Sequence, residues 1–94
     1  MKPPFEWDEK KNEENIRKHR VDFANAKYAF KDRKRVISKD LEHSKDEKRY
    51  YCFGKVKQGI LTVRFTLRQE RIRIIGAGFW RKGKKAYEEK NHIY

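Results

Sequence analysis

The stretch RFTLRQERIRIIGAGFW, residues 64–80, alternates apolar side chains with arginine or threonine over most of its length. Successive side chains of a β-strand point to opposite faces, so this alternation predicts strands with one apolar face and one polar face. With Gln69-Glu70 as a two-residue turn, the stretch folds into an antiparallel hairpin. The apolar face of this hairpin then carries Phe65, Leu67, Ile72 and Ile74, and the polar face carries Arg64, Arg68, Arg71 and Arg73.

Residues 49–63 extend this hairpin into a larger sheet. Taking Gln58-Gly59 as the preceding turn places glycine where a positive φ is useful. In that register Arg49 lies opposite Arg68, and Arg68 lies opposite Arg71. The predicted core face gains Tyr50, Cys52, Gly54, Val56, Leu61 and Val63, and the predicted polar face gains Arg49, Tyr51, Phe53, Lys55, Thr62 and Thr66.

The segment before the sheet predicts two helices. Asp8 and Asp22 each precede a helical pattern, and aspartate is a favoured N-cap because its carboxylate accepts from the first free amides. The first helix is expected over about residues 9–19. The second is short, and the spacing of Phe23, Ala26 and Phe30 predicts its buried side.

The other segments complete the predicted architecture. Residues 5–7 are expected to be extended, as an edge strand, after the helix-breaking Pro3 and Pro4. Residues 35–38 predict a short strand, residues 39–48 a polar connecting loop, and the segment from Lys82 or Lys84 to Lys90 a C-terminal helix. The sequence thus predicts one α+β domain over residues 1–94: a small antiparallel β-sheet with two N-terminal helices packed on one face and a C-terminal helix.

Composition limits the classes of function. A chain of 94 residues builds one small core, so chemistry must take place on a surface. The net charge of +12 favours a polyanionic partner, nucleic acid first and an acidic protein second. The single cysteine, Cys52, excludes an internal disulfide, and scattered histidines at 19, 43 and 92 indicate neither a zinc site nor another cofactor. With neither a signal peptide nor a long apolar run, a soluble cytoplasmic protein without membrane contact is expected.

The arginines of the polar face suggest what binds there. Like charges opposite each other in a sheet cost about 0.2–1 kcal/mol per pair, and a bound polyanion would relieve that repulsion. The planar guanidinium fork suits phosphate, and Tyr51 and Phe53 on the same face can stack on unpaired bases. This combination favours single-stranded nucleic acid, preferentially RNA. The alternative is an ordinary solvated sheet face, neutralised by acidic side chains of the 39–48 loop.

Several segments together resemble the BrnT ribonuclease toxins of bacterial type II toxin–antitoxin systems. They are FEWDEKKNEENIRKH (5–19), VDFANAKYAF (21–30), DLEHSKDEKRYYCFGK (40–55), LTVRFT (61–66) and RIRIIGA (71–77), with Tyr87 in the last helix. The resemblance implies a RelE-like α+β fold and metal-independent RNA cleavage. It also implies neutralisation by a cognate BrnA-type antitoxin.

Two departures from the family pattern stand out. Arg20 occupies the position after the Lys-His pair where family members commonly have glycine, the residue best suited to a left-handed helix cap. The usual R-I-I-S-A-R is here Arg73-Ile-Ile-Gly76-Ala-Gly78, without the serine and the second arginine. Arg81 is the candidate to replace that arginine, and activity is expected to be reduced or redirected if it does not.

The resemblance and the chemistry of RNA cleavage together select candidate residues. Cleavage without a metal needs a base for the 2′-hydroxyl proton, an acid for the leaving 5′-oxygen, and cations for the phosphorane, and it yields a 2′,3′-cyclic phosphate. Glu47 matches the family's acidic position and is the candidate base, with a solvated loop residue as the alternative. Imidazole exchanges protons near neutral pH, so His19 is a candidate acid or base, unless it only caps its helix.

The remaining candidates bind rather than exchange protons. Arg49, Arg64 and Arg73 are the predicted phosphate contacts of the catalytic group. The predicted RNA-binding residues are Lys18, Tyr51, Arg68, Arg71, Arg81 and Tyr87, of which the two tyrosines can alternatively be packing residues. A noncatalytic nucleic-acid-binding module on the same scaffold is the second hypothesis for the function, and a basic interaction protein with an acidic partner is the third.

Overall fold

A computed structural model of the chain describes residues 5–43 and 45–93, so that Pro3 and Pro4 lie outside the described residues. Five strands and three α-helices are assigned in these ranges. In chain order they are β1 (Phe5–Trp7), α1 (Glu9–His19), α2 (Phe23–Ala26), which continues into a 3₁₀ helix (Lys27–Lys31), β2 (Val36–Asp40), β3 (Arg49–Val56), β4 (Gly59–Arg68), β5 (Arg71–Gly78) and α3 (Arg81–Lys90).

The five strands form one sheet in the order β1-β5-β4-β3-β2. All neighbours are antiparallel except β1 and β5, which are parallel, so the sheet is mixed and the prediction of an antiparallel sheet was wrong at this edge. The long connection between β1 and β5 permits parallel pairing, which a hairpin does not. The pairing places Phe5 and Trp7 beside Ile72 and Ile74 on the core face, and Glu6 beside Arg73 on the opposite face.

The two hairpin turns differ in how well the sequence predicted them. Gln69-Glu70 forms the β4–β5 turn as predicted, with φ angles of 51° and 66°. The β3–β4 turn is Lys57-Gln58 instead of Gln58-Gly59, since Val56 pairs with Gly59. Arg49 therefore lies opposite Thr66, and the predicted Arg49–Arg68 pair was wrong. Because the register moved by two residues, each side chain keeps its predicted face.

A bulge in β5 changes the direction of the side chains after Ile74. Phe65 pairs with Ile74 but Arg64 pairs with Gly76, which leaves Ile75 as an extra residue in the bulge. Beyond the bulge Ala77 points into the core, where it is fully buried. Gly76 and Gly78 consequently share the face of Arg64 and Thr62.

Two further corrections concern strand ends. β2 extends to Asp40, because Lys39 pairs with Tyr50 and Asp40 with Arg49, so the predicted loop starts only at residue 41. Leu67, predicted in the core, is 53% exposed because it lies near the tip of the β4–β5 hairpin.

The helices pack on different parts of the sheet. Both predicted caps are confirmed, since the Asp8 carboxylate accepts from the amides of residues 10 and 11 and that of Asp22 from residue 24. The short helix buries Phe23 and Ala26 against the core face. α1 reaches the edge of β5, where the buried Asn15 side chain accepts from the Ala77 amide and donates to the Ala77 carbonyl. α3 packs over the opposite face at the far end of β3 and β4.

Gly54 offers a test of this packing. A Cβ at Gly54 would overlap the backbone of Ala29 in the 3₁₀ helix. We expect Gly54→Ala to lower the free energy of unfolding by about 1–3 kcal/mol, measured by urea denaturation. Gly76→Ala is the matched control, since its nearest contact would be an ordinary 3.9 Å. Equal stability of the two variants would contradict the packing of the 3₁₀ helix on β3.

Candidate nucleic-acid interface

The face of the sheet opposite the core carries Arg49, Arg64, Arg68, Arg71 and Arg73, and we call it the arginine face. Strand pairing arranges it in rows, because residues paired across strands lie side by side. One row reads Glu6, Arg73, Thr66, Arg49, Asp40, and the next reads Gly76, Arg64, Tyr51, Ser38. Arg68 and Arg71 pair with each other beside the turn, as predicted.

Two glutamates neutralise part of the positive charge of the arginine face. Glu6 accepts from Arg73 at 3.0 Å and from Arg71 at 3.5 Å, and Glu47 accepts from two nitrogens of Arg68 at 3.3 Å each. These hydrogen bonds, with Arg73 the largest cause for Glu6 and Arg68 for Glu47, hold the pKa of each carboxyl below its ordinary value. Acidic neutralisation from the 39–48 region is thus confirmed for Glu47, whereas the contribution of Glu6 was not predicted.

Asp40 is the third carboxylate and the most buried, with 4% of its surface exposed. Its oxygens lie 2.9 and 3.1 Å from His43 Nδ1, and one accepts from the His43 amide at 3.3 Å. Arg64 Nη2 lies 3.7 Å away, and the Tyr51 hydroxyl also bonds to Asp40. Burial opposes ionisation of Asp40, but His43 and Arg64 outweigh it and lower the pKa of the carboxyl.

The Asp40–His43 pair was missed in the sequence. Residues 39–48 predicted a polar loop, and His43 was set aside as an isolated histidine. The signal that was present is the D-x-x-H spacing directly after the apolar residues of β2. Asp40 engages Nδ1 of an imidazole that is 48% exposed, which leaves Nε2 as the ring atom able to exchange a proton with a substrate.

Arg64 is the arginine most available to a ligand within this cluster. Its side chain is 30% exposed, and its Nη2 lies a long 3.7 Å from Asp40, so the end of the guanidinium group can still bind a phosphate. A Cβ at Gly76, its neighbour in the row, would meet the Arg64 side chain at an ordinary 3.9 Å. Arg73 instead forms an ion pair with Glu6. Arg49 lies close enough to Glu47 to lower the pKa of that carboxyl.

Four predicted site residues do not line the cleft that contains Arg64. Lys18 and His19 are exposed at the end of α1, where the His19 ring packs edge-on against Trp80 at 4.9 Å between ring centroids. Arg81 and Tyr87 line a different cleft of about 490 Å³, which Trp80 also lines. Lys82, and not Arg81, lines the cleft that contains Arg64.

Tyr87 is held in place by burial and by a hydrogen bond. It is almost fully buried, and its hydroxyl donates to Asp32 at 2.6 Å. Burial and the Asp32 carboxylate raise the pKa of Tyr87 to about 12. These contacts are those expected of a packing residue, one of the two alternatives left open by the sequence.

Tyr87→Phe tests this placement. Losing a hydrogen bond to a charged group should lower the free energy of unfolding by about 1.5–3 kcal/mol at neutral pH. The pKa of Tyr87 is higher in the folded protein than in the unfolded chain. Its protonated hydroxyl therefore stabilises the fold fully below the unfolded pKa, and this stabilisation disappears as the pH rises through about 12. The stability difference between wild type and Tyr87→Phe, measured by denaturation, should therefore shrink above about pH 10. A variant that is equally stable but has lost RNA cleavage would instead assign Tyr87 to the chemistry.

Comparison with models of protein families identifies the family of this chain. The model of the family described as "Ribonuclease toxin, BrnT, of type II toxin-antitoxin system" matches residues 7–84. The chain belongs to the BrnT family. The resemblance inferred from the sequence is therefore confirmed, and BrnT membership gives the protein RNA as its substrate and an antitoxin as its partner.

The BrnT match covers most of this interface. It includes Asp40, His43 and all five residues of the arginine face, whereas Glu6 and Tyr87 fall outside residues 7–84. A comparison with curated proteins finds no match. Within residues 5–43 and 45–93, no helix is long and apolar enough to cross a membrane.

Proposed function

We propose that this BrnT protein is an endoribonuclease toxin that cleaves RNA on the arginine face without a metal ion and leaves a 2′,3′-cyclic phosphate. One observation carries the proposal: the buried Asp40 carboxylate holds His43 beside Arg64. A proton-exchanging group and a phosphate-binding group thus lie next to each other on an open surface. The RelE-like fold and a BrnA-type antitoxin are part of the same proposal, as is action in the cytoplasm, where its RNA substrate is found.

His43 is the proposed base. Its Nε2 takes the proton of the 2′-hydroxyl, the 2′-oxygen attacks the phosphorus, and the bond from phosphorus to the 5′-oxygen breaks. Asp40 stabilises the imidazolium that forms and fixes which ring nitrogen faces the substrate. General base catalysis of this kind contributes about 10²–10⁴-fold to a rate.

Glu47, the base expected from the sequence, is better suited to another role. Both of its oxygens accept from Arg68, and the lowered pKa makes its carboxylate a weaker base. We infer that Glu47 orients Arg68 for contact with the RNA backbone. His19 remains the candidate acid for the leaving 5′-oxygen, because its ring contacts Trp80, which lines the cleft of Arg64.

The arginines supply the positive charge. Arg64 binds the scissile phosphate and stabilises the phosphorane, with Arg49 and Arg73 in the adjacent row. Arg68 and Arg71 at the hairpin tip, with Lys18, contact flanking phosphates. The five arginines outnumber the three carboxylates beside them, so the face keeps a positive excess for a polyanion.

A noncatalytic RNA-binding module is the second candidate. The observation in its favour is that Gly76 and Gly78 lie on the arginine face and have no side chains. The resemblance implies a serine and an arginine at these two positions. Such a protein would still bind RNA through the arginines. It would not cleave.

Induced expression in a bacterial host tests the proposal at low cost. We expect growth arrest that co-expression of the neighbouring open reading frame relieves, as for a toxin and its antitoxin. A matched strain expressing His43→Ala should grow normally with the same protein level. Unimpaired growth of the wild-type strain, with the protein soluble and folded, would favour the binding module.

A further inference from the structure

A cleft of about 570 Å³ opens on the arginine face between Arg64 and α3. Its walls include Tyr51, Phe53, Thr62 and Trp80. This volume lies within the range of small-molecule binding sites, which combine apolar walls with a few polar groups. The proposed cleavage chemistry uses Arg64 at the edge of the cleft but leaves the interior of the cleft without a role.

The aromatic walls offer a flat surface to a ligand. The Tyr51 and Phe53 rings are nearly parallel, 5.7 Å apart with an interplanar angle of 13°. Phe53 is covered by α3, whereas Trp80 is 38% exposed. An exposed indole ring beside a phosphate-binding arginine is suited to stack on a nucleobase.

Two neighbours hold the Trp80 ring in position. Gly78 lies directly under it, and a Cβ at Gly78 would lie 2.7 Å from two of the indole carbons. The His19 ring packs edge-on against the indole. A ring that is already positioned loses little side-chain entropy when a ligand stacks on it.

The cleft offers basic side chains to the polar edge of a ligand. Arg64 and Lys82 line it, and the Arg64 side chain is 30% exposed. The Thr62 hydroxyl is buried against Gly83 of α3, where a Cβ would overlap it, so it does not face a ligand. A ligand with acceptor groups on its edge therefore finds donors in Arg64 and Lys82.

We propose that this cleft binds one unpaired nucleobase of the RNA, stacked on Trp80, next to the phosphate held by Arg64. The inference rests on the proposed function for the identity of the ligand as RNA. A base has a flat apolar face for the indole and acceptor groups on its edge for Arg64 and Lys82. Trp80 would then determine which nucleotides this protein accepts at that position.

Noncleavable ligands test the cleft separately from catalysis. The full-length protein is titrated with 2′-deoxy trinucleotides that differ only in the central base, and with the same trinucleotide carrying an abasic central residue. Binding is followed by tryptophan fluorescence and by calorimetry. Loss of one stacked base should weaken binding to the wild type by about 5- to 150-fold. In Trp80→Ala the best intact ligand and the abasic ligand should bind equally.

Phe79→Ala is the matched control, because Phe79 is an exposed aromatic residue next to Trp80 that lines only the two other clefts. It should retain the preference for a base. Trp80→Phe, which keeps an aromatic ring, should retain part of the preference and serves if Trp80→Ala does not fold. Gly78→Ala should displace the indole and reduce the preference as well.

Three results would overturn the proposal: equal binding of intact and abasic ligands by the wild type, an unchanged preference in Trp80→Ala, and no binding at millimolar ligand. RNA cleavage is measured in parallel. A protein that prefers an intact base but does not cleave refutes the ribonuclease and retains the cleft. A protein that cleaves but has no base preference refutes the cleft alone.

Discussion

Arg64→Ala should lower the rate of RNA cleavage by about 100- to 1000-fold while the protein remains folded. Removing one preformed donor to a developing oxyanion has effects of this size. Among residues 5–43 and 45–93, Arg64 Nε has no hydrogen-bond partner, and its Nη2 makes a long 3.7 Å contact to Asp40. Because Arg64 lies opposite Gly76 and Tyr51 and not opposite another arginine, the thermal midpoint should stay close to that of the wild type. Single-turnover cleavage of a labelled RNA and a thermal melt measure the two quantities.

Arg33→Ala is the control for net charge, because Arg33 lies in the exposed turn between the 3₁₀ helix and β2. It removes the same charge and should leave cleavage near the wild-type rate. Arg64→Lys keeps the charge but lacks the planar fork, and should recover only part of the activity. If Arg33→Ala and Arg64→Ala are equally impaired, Arg64 acts only through net charge. If Arg64→Ala unfolds, the arginine is structural.

His43→Ala should lower the cleavage rate by about 100- to 10,000-fold, the range expected for a general base. The pKa of Asp40 is held below its ordinary value, so its carboxylate stays charged throughout the neutral range and to lower pH than a free aspartate. Mild acidification therefore leaves the charge of Asp40 in place. A His43→Ala variant that cleaves at near the wild-type rate would contradict the assignment of His43 as the base.

Asp40→Asn and Glu47→Gln separate the possible bases. Asp40→Asn removes the charge that stabilises an imidazolium and should impair cleavage nearly as much as His43→Ala. Glu47→Gln keeps the geometry of the Arg68 contact and should have a smaller effect. A severe loss in Glu47→Gln together with near-normal His43→Ala would assign the base to Glu47, as the sequence first indicated.

The faces of the sheet could be predicted from the sequence because side-chain alternation survives errors in register. The β3–β4 turn was misplaced by one residue, which moved Arg49 from Arg68 to Thr66, two residues along β4. A two-residue shift preserves the face of every side chain, so the arginine face was correct although the Arg49–Arg68 pair was not. The parallel pairing of β1 with β5 could not be predicted from the sequence, because three extended residues do not specify a distant partner strand.

The candidate site was predictable only in part. Arg64 and Arg73 follow from local alternation, but the bulge at Ile75 interrupts that alternation and turns Gly76 and Gly78 toward the arginine face. The Asp40 cluster joins the end of β2, the following loop, β3 and β4. Contacts among these four segments depend on tertiary structure. The polar sequence of residues 39–48 also does not show which of its side chains is buried.

The central claim is that the chain itself supplies the base and the cations for cleavage. Its most direct test is incubation of the purified wild-type protein with single-stranded RNA in excess EDTA, followed by analysis of the fragment ends. We predict cleavage that persists in EDTA, with 2′,3′-cyclic phosphate on one product and a 5′-hydroxyl on the other, and that is strongly reduced in a parallel His43→Ala preparation. Intact RNA in EDTA with cleavage restored by magnesium, or products bearing 5′-phosphate, would contradict the account.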